Sequence, residues 1–362
     1  MAKGSTLKKE ALGELKNSPR VSSTLLPYIA RRIAIGIVMM IGITLISFSV
    51  TQLVPGDPAA VNLGQSAMSN PEIVARWRAE YGLDKPVPEQ YLIYIKKVLR
   101  GDLGISQQSQ RPVSTDLGEF FPATLEIALV AILISLFFGL IFGIISAINR
   151  DRWPDQVIRF FSLTGVSVPT FWLSLVFFYV FFFKLRWFPT NGRLDPGEDA
   201  PAHITGIYTF DALMHGQWAL AWQALRHLAL PALVLAIYTI AVLTRFTRAS
   251  VLEILGQDYV RAARAKGISE FLIIRRHVLR PALISIITVA GVAFGNLLSG
   301  SVLVENVFSW PGLGQYAFKS AIGLDLPGIM GVSIVVAGIF ITMNLIVDLL
   351  YKVIDPNMRS QK

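Results

Sequence analysis

The apolar positions of this chain gather into long runs, with polar stretches confined between them. A helix that crosses a bilayer needs about 20 mainly apolar residues. Six runs approach or meet that length, at 33–54, 125–147, 160–183, 228–244, 283–304 and 329–347. Each predicts a membrane-spanning helix. The fourth is the shortest, and Pro231 sits near its start. Pro169 lies inside the third and predicts a kink, because a proline takes the donor from the carbonyl four residues back. The second run carries Gly139 and Gly143 at the spacing that lets two helices approach closely in lipid. Glu126 falls near its outer end and reads as interfacial, with water in reach.

The polar stretches divide the chain. Residues 1–32 form a Lys-rich, solvated tail, 33–54 the first span and 55–123 an external segment. Residues 124–355 form a core with five spans, and 356–362 a short C-terminus. Pro55-Gly56-Asp57-Pro58 ends the first helix. Helical periodicity at 71–82 and 88–99, then the turn 101–104, predicts a small ordered external cap. In the external loop 184–227, Trp218 and Trp222 share one helical face. That face suits either a helix lying in the membrane interface or a lip that meets a docked partner. Trp310-Pro311-Gly312 marks a firm break between the last two spans.

Composition supports this reading. The chain has 362 residues, 53% of them hydrophobic, and a positive mean hydropathy. That excludes a disordered chain and disfavours a soluble globule. There is no cysteine, hence no disulfide framework and no thiolate metal site. The first run is too long for a signal-peptide core and no small-x-small cleavage site follows it, so it reads as a retained span. The net charge of +9 matters mainly by its placement and calls for no nucleic acid. Of the 33 Lys and Arg, 21 fall on the tail, the 148–159 and 245–282 loops and the C-terminus. The positive-inside rule then places both chain ends in the cytoplasm.

One polar stretch has internal structure. Residues 256–281 read GQDYVRAARAKGISEFLIIRRHVLRP. Tyr259, Ala262 and Ala263 share a helical face, with Arg261 and Arg264 on the other side. Gly267 suits the left-handed cap that stops this helix. A second helix begins near Glu270, carries an apolar stripe of Phe271, Ile274 and Val278, and is expected to stop before Pro281. A helix–turn–helix of this kind, held between two spans, suits contact with another protein at the membrane surface. In the fifth run Asn296, Ser299 and Ser301 accompany Gly291, Gly295 and Gly300. Lipid cannot satisfy such polar groups, so they belong at a helix interface or along a polar pathway. Asn296, Ser299 and Ser301 are therefore the candidate pathway-lining residues.

The 256–281 segment resembles the EAA loop of ABC-importer permeases. Arg261-Ala262-Ala263 and Gly267 occupy the motif's places, with Arg261 where the general pattern has glutamate. That departure is similar to the dipeptide/oligopeptide permease branch. Further resemblances to that branch are LVPGDPA at 53–59, YGLDKPVPEQY at 81–91, GDLGIS at 101–106, FPATLEIAL at 121–129, LPALVLA at 230–236, VENVFSWPGLG at 304–314 and DLLYKVIDP at 348–356. They cover nearly the whole chain from about residue 28.

The resemblance implies an all-α polytopic membrane protein with six transmembrane helices, the type I ABC importer permease fold, in a bacterial inner membrane. It implies a second homologous permease subunit, two ATPase subunits that carry ATP and Mg, an extracytoplasmic binding protein and a peptide substrate. It also assigns the ATPase contact to Tyr259, Arg261, Ala262, Ala263, Lys266, Gly267, Phe271, Ile274, His277 and Pro281. The chain has no G-x-x-x-x-G-K-[ST], so no cofactor is expected in it. His203, His215, His227 and His277 are scattered, lack metal-ligand spacing, and give neither a metal site nor a catalytic residue. His277 is expected to serve as a structural hydrogen-bonding group. Nickel or an oligosaccharide is an alternative cargo within the same branch. An ATP-independent channel or ion-coupled transporter is an alternative of another class, and it would need carboxylates inside the spans.

Overall fold

The computed structural model describes residues 22–53, 70–82, 84–189 and 191–354. The 54–59 turn, most of the N-terminal tail and residues 355–362 lie outside them. All regular elements among the described residues are helices. The chain divides into two units after Gly42. Most of the first helix, α1 (Ser22–Leu53), up to Gly42, belongs to the first unit. Its 22-residue apolar stretch, Ile29–Val50, is long enough to cross a membrane.

In the second unit, Asn70 starts α2 (Pro71–Tyr81) by accepting the Glu72 N–H at 3.1 Å, and Gly82 stops it at φ +68°. Next come α3 (Val87–Leu99) and the long α4 (Val113–Ile148). Then α5 (Trp153–Ser167) and α6 (Thr170–Phe177) meet at an angle of 101°. The kink expected at Pro169 is thus a near right-angle break. Val168, the residue before the proline, is forced to extended backbone at ψ 123°, which ends α5 outright. Beyond α6 the chain widens into a π-helical stretch, Phe178–Lys184.

After the short α7 (Tyr208–Met214), α8 runs unbroken from Trp218 to Leu255 over 38 residues. Here the sequence reading is corrected. The shortest expected span is the middle of the longest helix. Pro231 removes one hydrogen bond, but its buried site and an uninterrupted helical pattern carry α8 through it. Trp218 and Trp222 form its first turns, exposed by 72% and 63%, and make no separate interfacial helix.

Next come α9 (Asp258–Ala265), α10 (Glu270–Ile273) and a second π stretch, Ile274–Val278. Then α11 (Leu279–Gly300), α12 (Val302–Val307), α13 (Leu313–Ile322) and α14 (Leu326–Ile354) complete the described chain. The stop expected before Pro281 does not occur. Pro281 is the third residue of α11, in the first turn, where a missing N–H is tolerated, and the π stretch precedes it. By length and composition four helices can span a membrane, and two bent stretches, Trp153–Lys184 broken after α5 and Glu270–Gly300 bent within α11, raise this to as many as six.

Small residues set the helix register. A Cβ on Gly139 would lie 2.7 Å from Leu243 Cβ, and one on Gly143 2.4 Å from Thr247 Cβ. With the Ser135 hydroxyl donating to the Ala236 carbonyl at 3.2 Å, these pairs run α4 parallel to α8. Gly291 against Val347 and Gly295 against Phe340 set α11 antiparallel to α14. The main core lies between α4, α8 and α11, around Ile127, Leu228, Leu243 and Phe294.

Candidate functional site

The 256–281 segment folds as two helices joined by a tight turn. Gly267 adopts φ +77°, as its left-handed role requires. Its N–H reaches the Arg264 carbonyl at 2.9 Å, and the Ile268 N–H reaches Ala263 at 3.3 Å. Those two bonds form a Schellman cap. Arg264 Nε bonds Glu270 Oε1 at 2.7 Å across the turn, and this pairing raises the guanidinium pKa.

The buried stripe differs from the expected one. Val260, Ala263, Ile273 and Val278 turn inward onto Ala147, Val251, Ala282 and Ile286. Of the expected stripe, Val278 is buried, Ile274 is half-buried, and Phe271 is 73% exposed. The π stretch shifts the register, so four-residue spacing from Ile274 misjudges the inner face. Tyr259, Arg261, Ala262, Lys266, Gly267, Phe271 and Pro281 are exposed, and His277 is half-buried. Arg261 pairs with Asp258 at 2.9 Å. The Tyr259 hydroxyl donates to the His277 carbonyl at 3.4 Å, so the hydrogen bond at His277 engages its backbone. The element is thus fixed to the ends of α4, α8 and α11 by one apolar face, with aromatic and cationic groups on the other.

A cavity of about 600 Å³ opens where α5 breaks. Ser167 and Thr170 from the break, Tyr238 and Thr239 from α8, and Thr288 and Asn296 from α11 line it. Asn296 is exposed there. The Ser299 hydroxyl turns back to the Gly295 carbonyl at 3.2 Å. Ser301 is fully buried and donates to Glu305 Oε1 at 2.6 Å, which places it in a different cluster.

That cluster lies where α4 meets the turn after α12. Glu305 is fully buried and also accepts from the Thr124 hydroxyl at 2.8 Å and the Gln315 N–H at 2.9 Å. Burial pushes its carboxyl up, against the pull of those donors. A Cβ on Gly312 or Gly314 would lie 2.6 or 2.8 Å from Glu305 Oε2. Trp310 Nε1 donates to the Ala123 carbonyl at 2.8 Å. The 121–129 and 304–314 motifs therefore meet in one polar core. Beside it Arg193 bonds Glu126 Oε2 at 2.5 Å and stacks on the Tyr208 ring at 3.4 Å. Glu126 also accepts from the Thr209 N–H and hydroxyl, at 2.9 and 2.7 Å. The interfacial reading of Glu126 is corrected. The loop that carries Arg193 and Thr209 folds over it and leaves it 1% exposed.

Comparison with known proteins agrees with these elements. The family model "Binding-protein-dependent transport system inner membrane component" matches residues 139–360. The chain belongs to this family. The model for the N-terminal part of such membrane components matches 25–128. The "Probable D,D-dipeptide transport system permease protein" of Escherichia coli K12 is 43% identical over 89% of this chain and 95% of its own. The "Dipeptide transport system permease protein" of Alkalihalophilus pseudofirmus is 39% identical over 92% of this chain and all of its own. Among solved structures, a chain of the inward-facing MetNI methionine ABC transporter matches with a TM-score of 0.49 and 16% identity, over 64% of this chain and 93% of that one.

As a member of this family the chain is an inner-membrane transport component. Sequence reasoning located the two-helix element and singled out Asn296, which lines the larger cavity, and it missed Arg193 and the Asp155–Arg248 pair. Asp155 is fully buried at the start of α5, and Arg248 bonds both its oxygens at 2.8 and 2.7 Å. These partners stand 67 and 93 residues apart, a separation that no local pattern spans.

Proposed function

We propose that this chain is one permease subunit of an ATP-driven peptide importer. It forms half of the pathway with a second homologous subunit. It carries the motion of two ATPase subunits through residues 259–278. An extracytoplasmic binding protein delivers the peptide. ATP and Mg are bound on the ATPase subunits, which hydrolyse the ATP, and this chain does transport work only. The chain ends face the cytoplasm.

The observation that carries this reading is the two-helix element, with Val260, Ala263, Ile273 and Val278 buried inward and Tyr259, Ala262 and Phe271 exposed. An element packed on three helix ends moves with them as a body, so a push on its exposed face is passed to the spans. The dipeptide names of the relatives support the cargo. The buried carboxylates of the second unit offer little to an ion-coupled mechanism. Glu126 is paired with Arg193, Asp155 with Arg248 and Asp116 with Arg111, and Glu305, Asp211 and Asp325 are each held by several donors.

The test is ATP-dependent dipeptide uptake by the assembled transporter in proteoliposomes. Gly267→Val forces a β-branched residue into φ +77°, which costs about 1–2 kcal/mol locally. We expect uptake to fall about 5–30-fold while the subunit still reaches the membrane, the rate factor to which about 1–2 kcal/mol corresponds. Unchanged uptake would sink the coupling role. A single cysteine placed at residue 200 should be labelled from outside, and one at 265 only from inside.

A further inference from the structure

A second, smaller cavity of about 250 Å³ lies between α5 and α8. It shares Val166 with the larger one and is reached by following α5 away from the break. Its chemistry is different. Arg159, Arg245 and Arg248 all line it, with Ser162 and Thr244. Of its lining groups Arg248 is already bonded to Asp155, and the Ser146 hydroxyl donates to the same carboxylate. Arg159 and Arg245 form no ion pair among the described residues. The Thr244 hydroxyl is buried, in a residue only 2% exposed, and has no hydrogen-bond partner. A buried polar group left unpaired costs free energy, and like charges that line one cavity repel each other even when solvent-exposed, as Arg159 and Arg245 are. Both costs are relieved by one ligand, an anion with acceptor oxygens.

We infer that this cavity is an anion subsite that receives the terminal carboxylate of a transported peptide as it leaves the larger cavity. Guanidinium groups suit a carboxylate because their planar donors match its two oxygens. The volume holds a carboxylate and the residue that bears it. The two cavities share Val166 in their linings, which puts the subsite along α5 from the cavity that Asn296 lines. This inference rests on the peptide reading above and adds a position at which cargo chemistry is checked within the membrane subunit. A lipid phosphate offers similar oxygens, so the experiment separates the two sources.

The chain has no native cysteine, so Ser162→Cys gives this subunit one thiol, at the cavity. The assembled transporter is placed in phosphatidylcholine nanodiscs, and the rate of thiosulfonate labelling at residue 162 is followed. Saturating Ala-Ala should slow labelling about tenfold, the factor expected when ~90% of the sites are occupied. Its amide, Ala-Ala-NH2, should protect little. Adding Arg159→Gln and Arg245→Gln should abolish the protection by Ala-Ala. The acid–amide comparison needs no variant at the arginines, so a folding defect cannot mimic it. Equal protection by acid and amide overturns the inference. So does protection by phosphatidylglycerol with none by the dipeptide. Ala-Ala uptake by the unaltered transporter is scored separately: its absence sinks the peptide reading, whereas uptake without acid-selective protection sinks only the subsite.

Discussion

Two regions of the second unit are held together in opposite ways. Around Glu126, Arg193 and Glu305, the loop before α8 and the α12–α13 turn are fastened to α4 by buried charge and hydrogen bonds. The 256–281 element is fastened to α4, α8 and α11 mainly by aliphatic side chains, and its ion pairs lie on the surface. A buried polar network has few arrangements that satisfy every member, and a half-satisfied one is costly. Aliphatic packing is non-directional and yields by small slides. The outer region is therefore suited to hold a fixed shape, and the inner one to take up thrust while staying attached.

The largest expected effect breaks the outer region. Arg193→Met leaves Glu126 buried without its cation, which costs about 3–5 kcal/mol. Thermal unfolding of the purified subunit should drop well below the wild type. Replacing both partners, Arg193→Met with Glu126→Leu, should recover most of the loss. If the single variant is as stable as wild type, the outer region is no lock.

Acid tests the same region more gently. Asp211 is buried, and burial alone would raise its carboxyl. The Thr205 hydroxyl and the N–H groups of Thr205, Gly206 and Ile204 outweigh burial and hold it below its ordinary value of 3.8. A depressed folded pKa gives stability that is present above the ordinary value and is lost as pH falls through the folded one. Protonation should cost about 1.5–3 kcal/mol, the scale of hydrogen bonds to a charged group. Hydrogen exchange at Thr205 and Gly206 should show protection lost below about pH 4. In Asp211→Asn that protection should be low at every pH. A flat pH profile in the unaltered protein would remove Asp211 from the lock.

The inner region should respond less to a comparable insult. Ile273→Val removes one methylene from the buried stripe and costs about 0.5–1.5 kcal/mol. Unfolding temperature should shift by a small step, with uptake reduced less than in Gly267→Val. A loss as large as that of Arg193→Met would erase the contrast between the two regions.

How far each region can be read in the sequence follows the same division. The inner element announces itself locally. Gly267 marks the cap, the basic residues mark the surface, and Tyr259, Ala262 and Ala263 mark a helix. Its one misreading, the stripe through Phe271 and Ile274, comes from a π turn that changes the period from within. The long runs announce the spans, though α8 shows that a proline in a buried, helical context is no boundary. The outer lock is silent in the sequence because its partners come from α4, the loop before α8 and the turn after α12. Glu126 read alone looks interfacial, and only Arg193, 67 residues away, makes it a buried pair. Gly312 and Gly314 look like turn glycines until Glu305 is seen to need their space.

The smallest expected effect concerns a single hydroxyl and sharpens what the inner region leaves free. The Tyr259 hydroxyl donates to the His277 carbonyl, in the π stretch that precedes Pro281, at 3.4 Å. The bond is long and exposed, so Tyr259→Phe should cost only about 0.5 kcal/mol. The ring stays in place, 47% exposed on the outer face. If Tyr259 serves docking through its ring, Phe should keep uptake near the wild type and Tyr259→Ala should lower it, with similar unfolding temperatures for both. If the hydroxyl bond instead holds α9 to the π stretch, Phe and Ala should fall together in stability and uptake. That outcome would move Tyr259 from the surface that meets a partner to the scaffold beneath it.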